Sequence, residues 1–187
     1  KVYGVQAAGA PSMFQSIHEG HRVHLDRVQT IADGIAVKEP GELTFELIKQ
    51  YVDEIVTVTD EETAAAILAL LEQQKLVAEG AGAVAVAAAM FNKLPIKGKK
   101  TICLVSGGNV DVTTLSRIVN RGLTKSGRKY SFIIDLDDKP GQLSGVCNVV
   151  ADQGGNIQSV THERVNTAAE INGCTVRVEM DTRDQAH

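Results

Sequence analysis

From Val2 to about Arg121, short runs of Val and Ile alternate with longer amphipathic stretches, the pattern of β-α units around a mostly parallel sheet. Three strands are predicted there: residues 2–5, 54–58 and 101–105. The last, Thr101-Ile102-Cys103-Leu104-Val105, is a nearly continuous apolar run of the kind buried on both faces. One helix opens after Glu39-Pro40-Gly41, with Leu43, Leu47, Ile48 and Tyr51 at helical spacing. Another opens at Thr59, where Glu62 completes a capping box that satisfies orphan N–H groups, and runs on through Ile67, Leu68 and Leu71.

Between Arg121 and Lys129 the pattern gives way to Arg-Gly-Leu-Thr-Lys-Ser-Gly-Arg-Lys, polar, basic and without period. Residues 123–129 read as a linker between a first domain, 1–122, and a second, 130–187. The second predicts strand 130–136, the turn Asp137-Asp138-Lys139-Pro140-Gly141, helix 142–153, the pair Gly154-Gly155, strand 156–164, a polar hairpin and strand 174–180. This β-α-β-β order opens a ferredoxin-like split βαβ unit, expected to continue into a second helix and a fourth strand. The chain begins directly in a strand-like stretch and stops at Asp184-Gln185-Ala186-His187, where that helix should begin, so both ends look cut.

Several turns could carry chemistry. Ser106-Gly107-Gly108-Asn109 lies between the apolar strand and the helical stretch 111–119, where an open α/β sheet binds ligands beyond its strands' carboxyl ends. The alternative is a tight turn with Asn109 or Asp111 as N-cap. Glu79-Gly80-Ala81-Gly82-Ala83-Val84-Ala85 matches a Gly-x-Gly-x-x-Ala dinucleotide fingerprint, but Lys99, Lys100 and Thr101 stand about where its acidic residue belongs. Close packing of a small-residue helix is the better account, with Glu79 a candidate polar residue of the same crevice. His18, His21 and His24, beside Glu19 and Asp26, lack zincin spacing, and Gly20 breaks the helix they would share, so a solvated loop is expected and no metal site. In the second domain, Lys139, Pro140, Gly141, Gln142 and Leu143 form a helix N-terminus suited to a carboxylate, with Gly155, Asn156 and Ile157 at the helix's far end.

Composition removes other classes. Lys+Arg 19 against Asp+Glu 23 leaves no basic surplus for a phosphate backbone, and aromatics for base stacking are only 4%, so no nucleic-acid partner is expected. Cys103, Cys147 and Cys174 are odd in number and far apart, reading as reduced cytosolic thiols, with Cys103 a core residue of its strand. The apolar run from Ala81 to Met90 is too short to cross a bilayer, so no membrane partner is expected and the protein is placed in the cytoplasm.

Val2-Tyr3-Gly4-Val5-Gln6, Thr30-Ile31-Ala32-Asp33-Gly34, Glu79-Gly80-Ala81-Gly82 and Ser106-Gly107-Gly108-Asn109-Val110-Asp111 together resemble the C-terminal half of the catabolic-type threonine dehydratases (threonine ammonia-lyases). These are pyridoxal-phosphate enzymes of the tryptophan-synthase-β fold type, a parallel three-layer αβα architecture. The second segment resembles part of an ACT domain, an amino-acid-sensing module. The resemblance implies a lyase converting L-threonine to 2-oxobutyrate and ammonia, and L-serine to pyruvate, in a homo-oligomer regulated by an amino-acid effector. It places Ser106 on the cofactor's pyridine nitrogen, with Gly107, Asn109 and Glu79 around the ring. It places the effector near Lys139 to Leu143 and Gly155 to Ile157, across a dimer of such modules. A hydroxyl does not hold the ring nitrogen protonated, which suits β-elimination over reactions needing a long-lived carbanion. Related enzymes bind a cation after the first strand, but here the matching positions are Gln6, Ala10 and Ser12, with both acids replaced. The family's Schiff-base lysine and phosphate-binding glycine loop lie upstream of Lys1, and Lys38, Lys49 and Lys75 lack the lysine's motif. No catalytic residue is therefore assigned in this chain, and alone it is expected to be inactive. A non-catalytic amino-acid-sensing protein and a serine dehydratase or racemase relative are the alternatives.

Overall fold

A computed structural model describes residues 1–164 and 172–187. They form two compact units, Lys1–Val119 and Asn120–His187. In the first, β1 (Tyr3–Ala7) and β2 (Glu54–Val58) pair in parallel, with Tyr3 beside Glu54 and Ala7 beside Val58. The crossover between them carries α1 (Ser12–Glu19), a 3-10 turn at Asp33–Ile35 and α2 (Glu42–Tyr51). Then follow α3 (Asp60–Ala69), a π-helical turn at Leu70–Gln74, and α4 (Gly80–Met90).

The main core joins β1, β2, α3 and α4 through Ala7, Val58, Ala66, Ile67, Ala83, Ala87 and Ala88. Its many alanines let α3 and α4 lie close together, because the helix backbones carry little between them. A smaller cluster, Met13, Phe45 and Ile55, joins α1 and α2 to β2. The α2 stripe differs from the sequence expectation. Phe45, Ile48 and Val52 pack inward, while Leu43, Leu47 and Tyr51 share the opposite, exposed face. Both sets have helical spacing, so periodicity alone could not choose between them.

The capping box of α3 is complete. Thr59 Oγ1 accepts the Glu62 N–H at 3.2 Å and Glu62 Oε2 accepts the Thr59 N–H at 2.8 Å. Thr59→Ala removes one half of this pair and should cost ~1 kcal/mol. A lowered urea midpoint at unchanged slope would register it, and an unchanged midpoint would mean water caps the helix equally well.

Residues 101–105 do not form a strand. No described strand pairs with them, and Ile102 and Leu104 are 98% and 79% exposed. Cys103 and Val105 are half-buried, with the Cys103 thiol 3.7 Å from the Ala85 carbonyl of α4. The run has the composition of a doubly covered strand, but this chain covers one side only. Cys103 is correspondingly half-buried, not the core strand residue expected.

Helix α5 (Val112–Lys125) carries the chain from the first unit into the second. The expected linker, 123–129, is largely built into regular structure. Leu123 continues the stripe Leu115–Val119, so the helix runs on through Lys125, and Lys129 already belongs to β3. The helix ends in a Schellman motif, with Arg128 N–H on Leu123 O at 2.8 Å, Gly127 N–H on Thr124 O at 3.1 Å, and Gly127 at φ +70°.

The second unit is β3 (Lys129–Asp137), α6 (Gln142–Asp152), β4 (Asn156–Glu163) and β5 (Gly173–Asp181). The sheet order is β3-β5-β4, with β5 antiparallel to both neighbours. This is a split β-α-β unit in which β5 is inserted between the strands that α6 connects. Phe132, Ile134 and Leu136 alternate inward and meet Val178, Val176 and Cys174, under Leu143 and Val146 of α6. The polar hairpin expected between the last two strands lies at 165–171, outside the described residues.

Candidate functional site

The first crevice lies beyond the carboxyl ends of β1 and β2. Past β1 the Ala8 N–H donates to Val58 O at 2.7 Å, and the Gln29 N–H donates to Gly9 O at 3.0 Å, bringing the 29–34 loop back to the strand end. Asp60, at the start of α3, fixes that loop: its Oδ1 accepts the Thr30 hydroxyl at 2.5 Å and the Ile31 N–H at 3.2 Å. The N-terminus of α4 then presses against the loop. A Cβ on Gly80 would overlap the Ile31 carbonyl oxygen and lie 2.8 Å from Ala32 Cα. One turn on, a Cβ on Gly82 would overlap the Ser106 carbonyl oxygen and lie 2.7 Å from its carbon. The two glycines serve close backbone approach, the role favoured over dinucleotide recognition.

Glu79 joins the segments. Its N–H donates to Gly107 O at 3.3 Å, and its Oε2 accepts the Asn109 N–H at 3.1 Å. Gly107 has φ +75°, and a Cβ there would run into the Glu79 carboxylate, so only glycine suits the position. The structure thus brings Glu79, Ser106, Gly107 and Asn109 together, with Gly34 against the same carboxylate. Ser106 is exposed, and its hydroxyl makes no hydrogen bond to another described residue, so it is available to a ligand. Asp111, the N-cap of α5, accepts hydrogen bonds from the Thr114 side chain and N–H, which hold its carboxyl below the usual aspartate value.

Other sequence candidates are committed elsewhere. Gln6 Oε1 accepts the Phe14 N–H at 2.7 Å and Ser12 donates to Val37 O at 2.6 Å, so two of the three positions that the resemblance compared with a cation site are occupied within the fold, around the start of α1. His18, in the last turn of α1, lies tilted against the Phe14 ring, His21 lies beside Glu19, and His24 beside Glu39, all exposed and each with a different partner. Lys38 and Lys75 are hydrogen-bonded to the carbonyls of Asp26 and Glu72, and Lys49 lies over Phe45.

In the second unit a cavity of about 410 Å³ is lined by Lys139 to Leu143 together with Asp138, His162, Arg164 and Cys174. Lys139 is held by Asp137 at 2.8 Å, a hydrogen bond that raises its pKa. Gly155, Asn156 and Ile157 do not line this cavity. They follow the far end of α6, about 16 Å of helix away. Within one unit the two groups of expected effector residues are therefore separate.

The pyridoxal-phosphate dependent enzyme family matches residues 1–108, more than half the chain. The chain belongs to that family. The cofactor of these enzymes is pyridoxal phosphate, and the crevice fits it in the donor it offers: an uncommitted hydroxyl at Ser106, on a turn that Glu79 fixes through Gly107 and Asn109. The chain is 50% identical over 187 residues to "L-threonine ammonia-lyase" of Thermotoga maritima, and 43% identical over 187 residues to the protein of that name in Geobacter sulfurreducens. Each match covers 100% of this chain and 46% of the relative, so the chain spans about half the length of these relatives. Among solved structures, processed threonine deaminase isoform 2 of Solanum lycopersicum matches at TM-score 0.60 and 38% identity, over 65% of this chain and 34% of that one. No helix among the described residues is long and apolar enough to cross a membrane.

Proposed function

We propose that these residues are part of a pyridoxal-phosphate-dependent lyase that deaminates L-threonine to 2-oxobutyrate and ammonia, and L-serine to pyruvate. The observation that carries this reading is the convergence of three separated motifs, residues 30–34, 79–82 and 106–109, on one crevice, in a chain whose relatives bear that activity in their names. When bound, the cofactor supplies the electron sink for elimination. The Ser106 hydroxyl would donate its hydrogen to the ring nitrogen, which accepts it unprotonated. Glu79 fixes the Gly107–Asn109 loop, and Asn109 and Gly107 shape the wall beside the ring. With a hydroxyl at the ring nitrogen, the sink is modest and favours release of the β-substituent.

The first unit is then one portion of a catalytic domain. Uncovered Ile102 and Leu104 and a cavity of about 840 Å³ between β1 and residues 99–103 leave room for the remainder to pack. The second unit is a partial ACT module, which senses an amino acid near Lys139–Leu143. Residues 155–157 reach an effector from a second copy in a homo-oligomer, which accounts for their separation within one copy. The enzyme works in the cytoplasm.

The test is production of 2-oxobutyrate from L-threonine with pyridoxal phosphate. The full-length gene product should turn over and the 187-residue chain alone should not. No product from the full-length protein would refute the lyase reading and favour a non-catalytic amino-acid sensor; turnover by the short chain would overturn only the incompleteness argument.

A further inference from the structure

We infer that the second unit holds a zinc-type divalent cation on Asp138, His162 and Cys174. One ligand atom from each of the three, a carboxylate oxygen, an imidazole nitrogen and the thiol sulfur, lies within 4.8 Å of the others. That donor set is the mixed oxygen, nitrogen and sulfur chemistry that suits zinc. Each residue comes from a different strand or strand end, so the trio has no sequence spacing to announce it.

The sheet itself positions the ligands. Cys174 opposes Leu136 and His162 opposes Val176, so both side chains share the core-facing side and are diagonal neighbours across the β4-β5 ladder. Asp138 is tied to the start of β5 by its N–H on Asn172 O at 2.8 Å. The apolar core of this face, Val178 and Val176 with Phe132 and Ile134, ends at Cys174. Beyond it the lining turns polar, and Cys174, 2% exposed as a residue, borders the cavity of about 410 Å³.

Tetrahedral zinc with these ligands separates donor atoms by roughly 3.5 Å, so a trio within 4.8 Å closes by at most about 1.3 Å on loading. Asp138 and His162 are exposed and can make that movement around the fixed Cys174. Arg164 competes for the carboxylate, its Nε 3.3 Å from Asp138 Oδ1. An ion pair this exposed is weak and yields readily to a divalent cation. Lys139 does not compete, because Asp137 holds it. Three protein ligands leave a fourth position, which faces the cavity. The inference needs neither the lyase nor the effector reading.

The 187-residue chain, reduced and metal-free, is titrated with Co²⁺ and then with Zn²⁺. One Co²⁺ per chain should bind with a thiolate-to-cobalt charge-transfer band, and Zn²⁺ should displace it. Cys174→Ser should abolish the band, whereas Cys147→Ser and Cys103→Ser should leave it. Loss of a partner behind a ligand costs 10- to 100-fold in affinity elsewhere, so His162→Ala and Asp138→Asn should each weaken binding at least ~10-fold. Absence of the band in the parent chain, or a band that survives Cys174→Ser, overturns the inference. If Cys174→Ser does not fold, the two exposed positions decide, and unchanged affinity in both overturns it equally.

Discussion

Gly82→Ala should destabilise the first unit by at least ~1–3 kcal/mol, the cost of forcing a methyl into a packed interior. Gly145→Ala, inside α6, should stabilise the second by ~0.5–1 kcal/mol. The opposite signs follow from what each new Cβ would meet. At Gly82 it would overlap the Ser106 carbonyl oxygen, with the Ser106 carbon 2.7 Å and nitrogen 3.2 Å away. All three are backbone atoms, which cannot rotate aside, so α4 and the Ser106 segment must separate. At Gly145 nothing lies within 4 Å, and the substitution only narrows the unfolded ensemble while improving a helical position. The chain has no Trp, so hydrogen exchange read by peptide is the better measurement. Gly82→Ala should speed exchange in 80–90 and 104–110 selectively. Protection equal to the parent's would mean that Ser106 does not rest on α4, and the crevice as described would fall with it.

The elements that local chemistry dictates were legible in the sequence. Thr59 and Glu62 announce the start of α3, Asp111 is one of two caps expected for α5, and the strand expected at 130–136 is β3. What failed depended on partners that sequence does not name. Ile102 and Leu104 compose a buried strand, yet burial requires a neighbour on each side, and here only the α4 side is supplied. The α2 helix was foreseen and its inward face was not, because 43-47-51 and 45-48-52 are equally regular. The basic run after Arg121 concealed the last turn of α5, since Lys and Arg are good helix formers and only Gly127 stops it. The crevice was partly legible: Ser106-Gly107-Gly108-Asn109 stands out locally and Glu79 is expected in the same crevice, but the approach of Gly82 to Ser106 and of Gly34 to Glu79 joins distant segments and is seen only in the fold. Asp138, His162 and Cys174 were invisible for the same reason, because strand register alone brings them together.

Ser106→Ala in the full-length gene product should lower the rate of 2-oxobutyrate formation roughly 5- to 150-fold, the effect of losing one hydrogen bond of ~1–3 kcal/mol at the cofactor ring. Stability should barely change, because the Ser106 hydroxyl bonds no other described residue and its methylene is exposed. That pairing of a large kinetic effect with a negligible folding effect separates a ligand contact from a turn residue. A turn role would leave the rate alone, and a folding role would move the melting temperature together with it. Ser106→Thr supplies the further control. It restores the hydroxyl with one added methyl on an exposed position, so it should recover much of the rate, whereas a variant lacking any donor or acceptor should not. Full activity in Ser106→Ala would remove the ring-nitrogen role from Ser106. The crevice would still stand, since Gly82 and Gly107 depend on backbone geometry and not on this side chain.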